Sequence, residues 1–140
     1  MSHSSQIKVR GFHLDIYQHV NNARYLEFLE EARWEYLEDT GDLEYFQSLG
    51  LAWVIVNINI NYRASATMGQ TLDVTTALSK VGGKSAVFNQ VITLAGTDTI
   101  VADADITFVL LNQKTGKPVK IEGEVLERME GHLKAVGEEL

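Results

Sequence analysis

The chain has 140 residues, of which 45% are hydrophobic and 22% are charged, with no cysteine and a formal net charge of −7. That length predicts one domain over residues 1–140, and no apolar run reaches the roughly 18 residues of a membrane span. The lack of cysteine excludes thiolate catalysis and predicts a cytoplasmic protein, while the acidic balance argues against nucleic acid as a partner.

The first half of the sequence predicts a short strand and one long helix. Ile7 and Val9 alternate with charged residues, which predicts a strand over residues 5–10. From about residue 22 to residue 38, apolar side chains recur at helical spacing and most glutamates lie off that stripe. The stripe consists of Tyr25, Phe28, Leu29, Ala32 and Tyr36. A turn over residues 39–50 follows, with room for a short second helix.

The second half predicts an antiparallel sheet. In LAWVIVNININYR, residues 51–63, apolar even positions alternate with asparagine, which is typical of a strand. Residues 71–81 and 84–94 predict a hairpin around Gly82 and Gly83, and residues 99–112 predict the last strand. Residues 122–140 predict a short helix.

These elements predict an α+β fold, in which the helix stripe packs on one face of the sheet. Covering one face with a single helix leaves apolar surface or strand edges that favour association. We therefore expect at least a homodimer.

Several side chains that could take part in catalysis lie just before the long helix, in the segment HLDIYQHVNNARYLEF. A helix N-terminus offers unpaired N–H groups and a partial positive charge, which stabilise a developing oxyanion. Asp15 beside it could act as a general base on water or as a nucleophile. The alternative is that Asp15 bonds its own turn, while Asn21 or Asn22 caps the helix. His13 and His19 match no zinc signature, so we expect no metal.

The segment Gly82-Gly83-Lys84-Ser85 allows two interpretations. It joins two predicted strands and lacks the spacing of a P-loop, which favours a plain hairpin turn. Alternatively, its amides, with Lys84, Ser85 and the nearby Lys80, contact a phosphate.

The run DIYQHVNNARYLEF, between the short strand and the rest of the fold, resembles the hotdog-fold acyl-CoA thioesterases of the 4-hydroxybenzoyl-CoA thioesterase family. VNININYR, GKS, QVITL and ADADITFV extend the resemblance over nearly the whole chain. It implies a long central helix wrapped by a curved antiparallel sheet of about five strands. It also implies homodimers with a continuous sheet, frequently homotetramers, and hydrolysis of medium- to long-chain fatty acyl-CoA to fatty acid and coenzyme A without a cofactor.

The resemblance also implies roles for particular residues. The aspartate at Asp15 carries the hydrolysis, and the backbone N–H of Asn22 polarises the thioester carbonyl. His19 is a further catalytic candidate. Several family members have glycine at the position of Gln18. Some relatives use a glutamate of the central helix instead, which keeps two alternatives open, Glu27 and Glu31. For both we favour a solvated or ion-paired helix face with Arg24 and Arg33.

Coenzyme A carries phosphate charges that an acidic protein holds through local cations, and its acyl chain needs an apolar tunnel. Our candidates for binding the phosphates are Arg63, Lys80, Lys84 and Ser85. Our candidates for the tunnel are Tyr25, Phe28 and Trp53, for which core packing is the alternative.

Two other functions remain open from the sequence. One is a hotdog dehydratase or hydratase acting on β-hydroxyacyl or enoyl thioesters, in which His13 or His19 would pair with an acid across the dimer. The other is an acyl-CoA-binding module without activity.

Overall fold

One antiparallel sheet of five strands, in the order β1-β3-β4-β5-β2, dominates the computed structural model. The model describes residues 2–139, with side chains up to residue 133. The elements in chain order are β1 (Ser2–Lys8), a 3-10 turn (Gly11–His13), α1 (Asn22–Asp39), α2 (Asp42–Ser48), β2 (Leu51–Tyr62), β3 (Thr71–Val81), β4 (Ser85–Leu94), β5 (Ile100–Asn112) and α3 (Gly123–Glu139). This confirms the predicted α+β hotdog fold.

Helix α1 is the central helix and buries the predicted stripe. Its residues Tyr25, Phe28, Leu29, Ala32 and Tyr36 are all at most 5% exposed and belong to the core. Helix α1 packs against β3 and β1, and Leu72 and Val74 of β3 are fully buried. The predicted helix bounds, 22–38, differ from the observed ones by a single residue.

Strand β2 is confirmed, but a bulge interrupts its alternation. The register shifts between Ile55 and Asn57 because Val56 forms a β-bulge against β5. A bulge moves the following residues to opposite faces. Trp53 therefore packs in the core before the bulge, while Val56 is 56% exposed.

The N-terminal strand begins earlier than predicted. Residues 5–10 carry the apolar alternation, but β1 runs from Ser2 to Lys8 because its backbone pairs with β3, Ser2 opposite Ala77. This pairing is a tertiary contact that the polar sequence SHSS does not predict. By contrast, β3 has the predicted bounds, and the predicted hairpin with β4 is confirmed.

Helices α2 and α3 close the far end of α1. Asp42 of α2 is fully buried, and two side chains of α3 reach it: Arg128 Nε lies 2.5 Å from Oδ1 and His132 Nε2 lies 3.0 Å from Oδ2. Burial alone raises the pKa of Asp42, but the hydrogen bonds and charges of His132 and Arg128 lower it below its ordinary value. Within residues 2–139, no helix has both the length and the apolarity needed to cross a membrane. Leu140, part of the predicted last helix, lies outside the described residues.

Candidate active site

A tight turn positions Asp15 in front of α1. The Asp15 N–H donates to the His19 carbonyl at 3.0 Å, and the Gln18 N–H donates to the Asp15 carbonyl at the same distance. Gln18 has a φ of 64°, the left-handed region that glycine adopts most easily. The turn therefore keeps a glycine-like backbone with a glutamine in that position.

The Asp15 carboxylate combines the two interpretations that the sequence left open. Its Oδ1 accepts a hydrogen bond of 2.9 Å from the Tyr17 N–H, so the residue does stabilise its own turn. Among the described residues, Oδ2 has no hydrogen-bond donor, and the side chain lines an open groove. One oxygen thus fixes the orientation of the carboxylate, and the other is available to a substrate or a water molecule.

The first turn of α1 supplies an unpaired backbone donor beside Asp15. Asn21 is the N-cap: its Oδ1 accepts from the Ala23 N–H at 2.9 Å, and its carbonyl accepts from the Arg24 N–H at 2.9 Å. In the part of the chain that the structure describes, the Asn22 N–H has no acceptor. A helix N-terminus concentrates positive partial charge at this position, so the Asn22 N–H is suited to polarising a carbonyl.

The groove itself has a volume of about 540 Å³. Five of the predicted site residues line it together, namely Asp15, His19, Asn22, Tyr25 and Arg63. The remaining walls are Val20, Tyr62, Ala64 and Ser65, which the sequence did not mark as site residues. The Tyr62 hydroxyl donates to the Asn22 carbonyl at 3.1 Å, so the end of β2 is joined directly to the start of α1.

Tyr25 forms the floor of this groove. It is 4% exposed, and its hydroxyl accepts a hydrogen bond of 3.1 Å from the Ala66 N–H. Burial raises the pKa of Tyr25, so the side chain stays neutral at physiological pH. Phe28 lies behind it, with ring centroids 6.1 Å apart, and is buried in the core.

Arg63 provides an exposed positive charge at the mouth of the groove. Its guanidinium makes two hydrogen bonds to the Asp103 carboxylate, which also accepts from Asn61 Nδ2 at 3.1 Å. The bond from Arg63 lowers the pKa of Asp103 below its ordinary value. A phosphate bound here would compete with Asp103 for the same guanidinium.

The two nearby histidines have different environments. His13 Nδ1 accepts from the Arg10 N–H at 2.9 Å, and its ring stacks edge-on against Phe28. Burial and the charge of Arg24 lower the pKa of His13, which favours the neutral ring. His19 is exposed and lines the groove. His13 therefore has a packing role, and His19 is the histidine that meets the groove.

The alternative acids on α1 do not share the position of Asp15. Glu27 pairs with Arg24 at 2.9 Å on the exposed face of the helix, as expected for a solvated ion pair. Arg33 differs from that expectation, because it is 9% exposed and donates to the Gln90 side chain at 3.0 Å inside the protein.

Four predicted binding residues lie elsewhere. Lys80, Lys84 and Ser85 belong to the β3–β4 hairpin, where the Gly82 N–H donates to the Ser85 carbonyl at 2.8 Å. Ser85 is level with Val109 on β5, whereas Tyr62 is level with Ala102, a separation of about 23 Å along the strand. Trp53 lines a second cavity instead of the groove.

Comparisons with known proteins give the chain its family. The model of the thioesterase-like superfamily matches residues 10–129. The chain is 52% identical over 130 residues to the long-chain acyl-CoA thioesterase FadM of Escherichia coli, covering 93% of this chain and 98% of that protein. It is 31% identical over 108 residues to the acyl-CoA thioesterase YbgC of Haemophilus influenzae, covering 76% of this chain and 78% of that protein.

A solved structure agrees with the sequence comparisons. The crystal structure of YbaW, a probable thioesterase from Escherichia coli, superimposes with a TM-score of 0.88 at 52% sequence identity, covering 93% of this chain and 98% of that chain. The fold and the sequence thus agree, and the chain belongs to the thioesterase-like superfamily.

Proposed function

We propose that this protein hydrolyses medium- to long-chain fatty acyl-CoA thioesters to free fatty acid and coenzyme A, without a metal or other cofactor. The observation that carries the proposal is the juxtaposition of the Asp15 carboxylate and the Asn22 N–H in one groove at the start of α1. The high identity to a long-chain acyl-CoA thioesterase supports the substrate class. We expect the reaction to take place in the cytoplasm.

Two routes use the same residues. In one, Asp15 takes a proton from water, the water oxygen attacks the thioester carbon, the C–S bond breaks and the departing thiolate receives the proton. In the other, Asp15 attacks the carbon directly, coenzyme A leaves, and water then hydrolyses the mixed anhydride. In both routes the carbonyl oxygen becomes negative, and the Asn22 N–H stabilises that charge. A single turnover in ¹⁸O-labelled water distinguishes them, because only the second route can place an Asp15 oxygen in the product acid.

We infer that two copies pair along β2 to form the dimer. β2 is an edge strand of twelve residues, and three of its apolar side chains are exposed: Val56 by 56%, Ile58 by 39% and Tyr62 by 47%. A long exposed edge of this kind favours pairing with another strand. The opposite edge, β1, is shorter and mostly polar, so it is the weaker candidate. A dimer or tetramer mass in sedimentation analysis is the expected result.

This dimer would also give the distant lysines a role. An antiparallel pairing along β2 turns the Leu51 end of one copy toward the Tyr62 end of the other. The hairpin carrying Lys80, Lys84 and Ser85 then approaches the partner's groove, and Arg63 approaches from the groove's own chain. These cations would hold the phosphates of coenzyme A that the acidic protein otherwise repels.

The test is thiol release from an acyl-CoA series of increasing chain length, for the natural protein and for Asp15→Asn. We expect the variant to fold and bind substrate but to lose about 100-fold or more in kcat, because the amide cannot accept the proton or attack. Asp98→Asn, on an exposed turn, is the matched control with the same change of charge. An Asp15→Asn variant with the natural rate would overturn the assignment.

The same assay separates the alternative functions. A dehydratase or hydratase changes the acyl chain but liberates no thiol, and its histidine would have to be His19, the one that meets the groove. A binding module would show saturable binding without any thiol. The presence of Asp15 beside an unpaired helix N–H favours hydrolysis over both.

A further inference from the structure

A second cavity, of about 290 Å³, lies between the C-terminal half of α1, helix α2 and the start of β2. It shares no lining residue with the Asp15 groove, and Arg33 in its wall lies about 16 Å further along α1 than Asn22. Its apolar walls are formed by Leu37, Leu43, Phe46, Leu51, Trp53 and Phe88. A volume near 300 Å³ is at the lower end of small-molecule sites.

A buried cation interrupts these apolar walls. Arg33 is 9% exposed, and its hydrogen bond goes to the neutral side chain of Gln90, at 3.0 Å. Gln90 is fully buried and donates to the Leu29 carbonyl and to Thr76 Oγ1, each at 3.0 Å. Among the described residues, no carboxylate forms an ion pair with Arg33. A buried charge without a counter-ion is costly, and a guanidinium with spare donors would be stabilised by an anion.

The other charged groups in the cavity do not supply that anion. Asp42 lines the cavity, but Arg128 and His132 already neutralise it, at 2.5 Å and 3.0 Å. Glu30 is exposed and forms no ion pair with Arg33 among the described residues, so its charge only partly offsets the burial that lowers the pKa of Arg33. A purely apolar ligand would leave the spare donors of Arg33 unsatisfied, whereas a carboxylate can accept from them.

We propose that this cavity binds a medium-chain fatty acid as its carboxylate, with the carboxylate on Arg33 and the alkyl chain along Phe46 and Phe88. The proposal rests on the proposed function in one respect, since a fatty acid is the class of product that the Asp15 groove would release. It assigns a product-binding site that is separate from the catalytic groove.

The chain carries its own reporter for this site. Its two tryptophans, Trp34 and Trp53, both line the cavity, so ligand binding there changes the intrinsic fluorescence. The experiment titrates octanoate and, separately, 1-octanol into the full-length protein. We expect octanoate to bind about tenfold or more tightly than the alcohol, because charge-assisted hydrogen bonds to Arg33 distinguish them.

Two substitutions test the residue. Arg33→Met keeps the length of the side chain but removes the charge, and it should bind the two ligands with similar affinity. Arg33→Lys keeps the charge and should retain part of the preference for octanoate. If the methionine variant does not fold, the comparison of ligands in the natural protein and in the lysine variant still decides the question.

Equal binding of octanoate and 1-octanol by the natural protein would overturn the proposal, since the cavity would then recognise only an apolar tail. A preference that survives in a folded Arg33→Met variant would overturn it as well. Repeating the titration with Asp15→Asn separates this site from catalysis: the fluorescence change should persist there. The titration involves no turnover, so a failure of the thiol-release assay leaves its result intact.

Discussion

The two ends of α1 differ in whether their polar backbone groups are paired. At the C-terminal end, the Tyr36 carbonyl accepts from both the N–H and the hydroxyl of Thr40, at 3.0 and 2.7 Å, and the Thr40 carbonyl accepts from Arg128 at 3.2 Å. At the N-terminal end, the Asn22 N–H has no acceptor among the described residues, and Asn22 lines an open groove. The polar groups at one end hold the fold, whereas the other end leaves a backbone donor unpaired.

The carboxylates beside the two ends differ in the same sense. Asp42 is fully buried and is held by two side chains from α3, Arg128 and His132. Asp15 is partly exposed, and one of its oxygens is bound by the Tyr17 N–H of its own turn. Removing Asp42 should therefore affect stability first, and removing the donor near Asp15 should affect the rate first.

The largest effect is expected from Asn22→Pro. Proline lacks the N–H, is well tolerated at the first position of a helix, and requires an extended residue before it. Asn21 already has φ −61° and ψ 138°, so the backbone suits a proline at position 22. We expect kcat for thioester hydrolysis to fall by about 100- to 1,000-fold, as for the loss of an oxyanion donor, with the helix content by circular dichroism preserved.

Asn22→Ala is the matched comparison for this prediction. It removes the side chain but retains the N–H, and it leaves the carbonyl that accepts from Tyr62 in place. The alanine variant should lose far less activity than the proline variant. Equal losses in the two would mean that the side chain, and not the backbone, acts on the thioester.

The second prediction concerns the other end of α1. Asp42→Asn keeps the shape of the side chain but leaves Arg128, which is partly exposed, without its counter-ion. Losing charge-assisted hydrogen bonds of this kind costs about 1.5 to 3 kcal/mol of unfolding free energy, which urea denaturation measures. Asp98→Asn, which is exposed, should stay within about 0.5 kcal/mol of the natural protein.

The same variant defines a pH dependence. Because the folded protein holds the pKa of Asp42 below its ordinary value of 3.8, this residue contributes stability that is fully present above that pH. The contribution disappears as the pH falls through the lowered pKa of the folded state. The difference in stability between the natural protein and Asp42→Asn should therefore narrow in acid. A gap that widens below pH 3.8 would contradict this account of the Asp42 cluster.

Local patterns in the sequence predicted most of the fold. The helical stripe predicted α1 to within one residue, and the alternation around Gly82 and Gly83 predicted the β3–β4 hairpin. Both patterns arise from neighbours along the chain, so the sequence carries them. The bulge at Val56 and the early start of β1 at Ser2 depend on partner strands, β5 and β3, and no local pattern records such a pairing.

The same distinction, between contacts close in sequence and contacts far apart, decides which parts of the sites could be predicted. Asp15 and Asn22 are close in sequence, and a loop followed by a helix start suffices to predict their meeting. The pairing of Asp42 with Arg128 joins residues 86 positions apart, and Arg33 meets Gln90 across 57 positions. Arg33 lies on a helix rich in glutamate, which suggested a solvated ion pair. Only the packing against β4 reveals that it is buried.

The smallest effect is expected from Gln18→Gly, in the turn that leads to α1. A non-glycine residue in the left-handed region costs about 1 to 2 kcal/mol in the folded state. The greater conformational freedom of glycine in the unfolded chain offsets about 0.5 to 1 kcal/mol of the stability gained by removing that cost. The Gln18 side chain is exposed, so little contact is lost. Gln18→Gly should therefore raise the unfolding free energy by about 0.5 to 1 kcal/mol in urea denaturation.

Gln18→Ala keeps the same φ of 64° and should give no such gain. A loss of stability in the glycine variant would mean that the glutamine side chain holds the turn, and that the open end of α1 depends on more than the backbone.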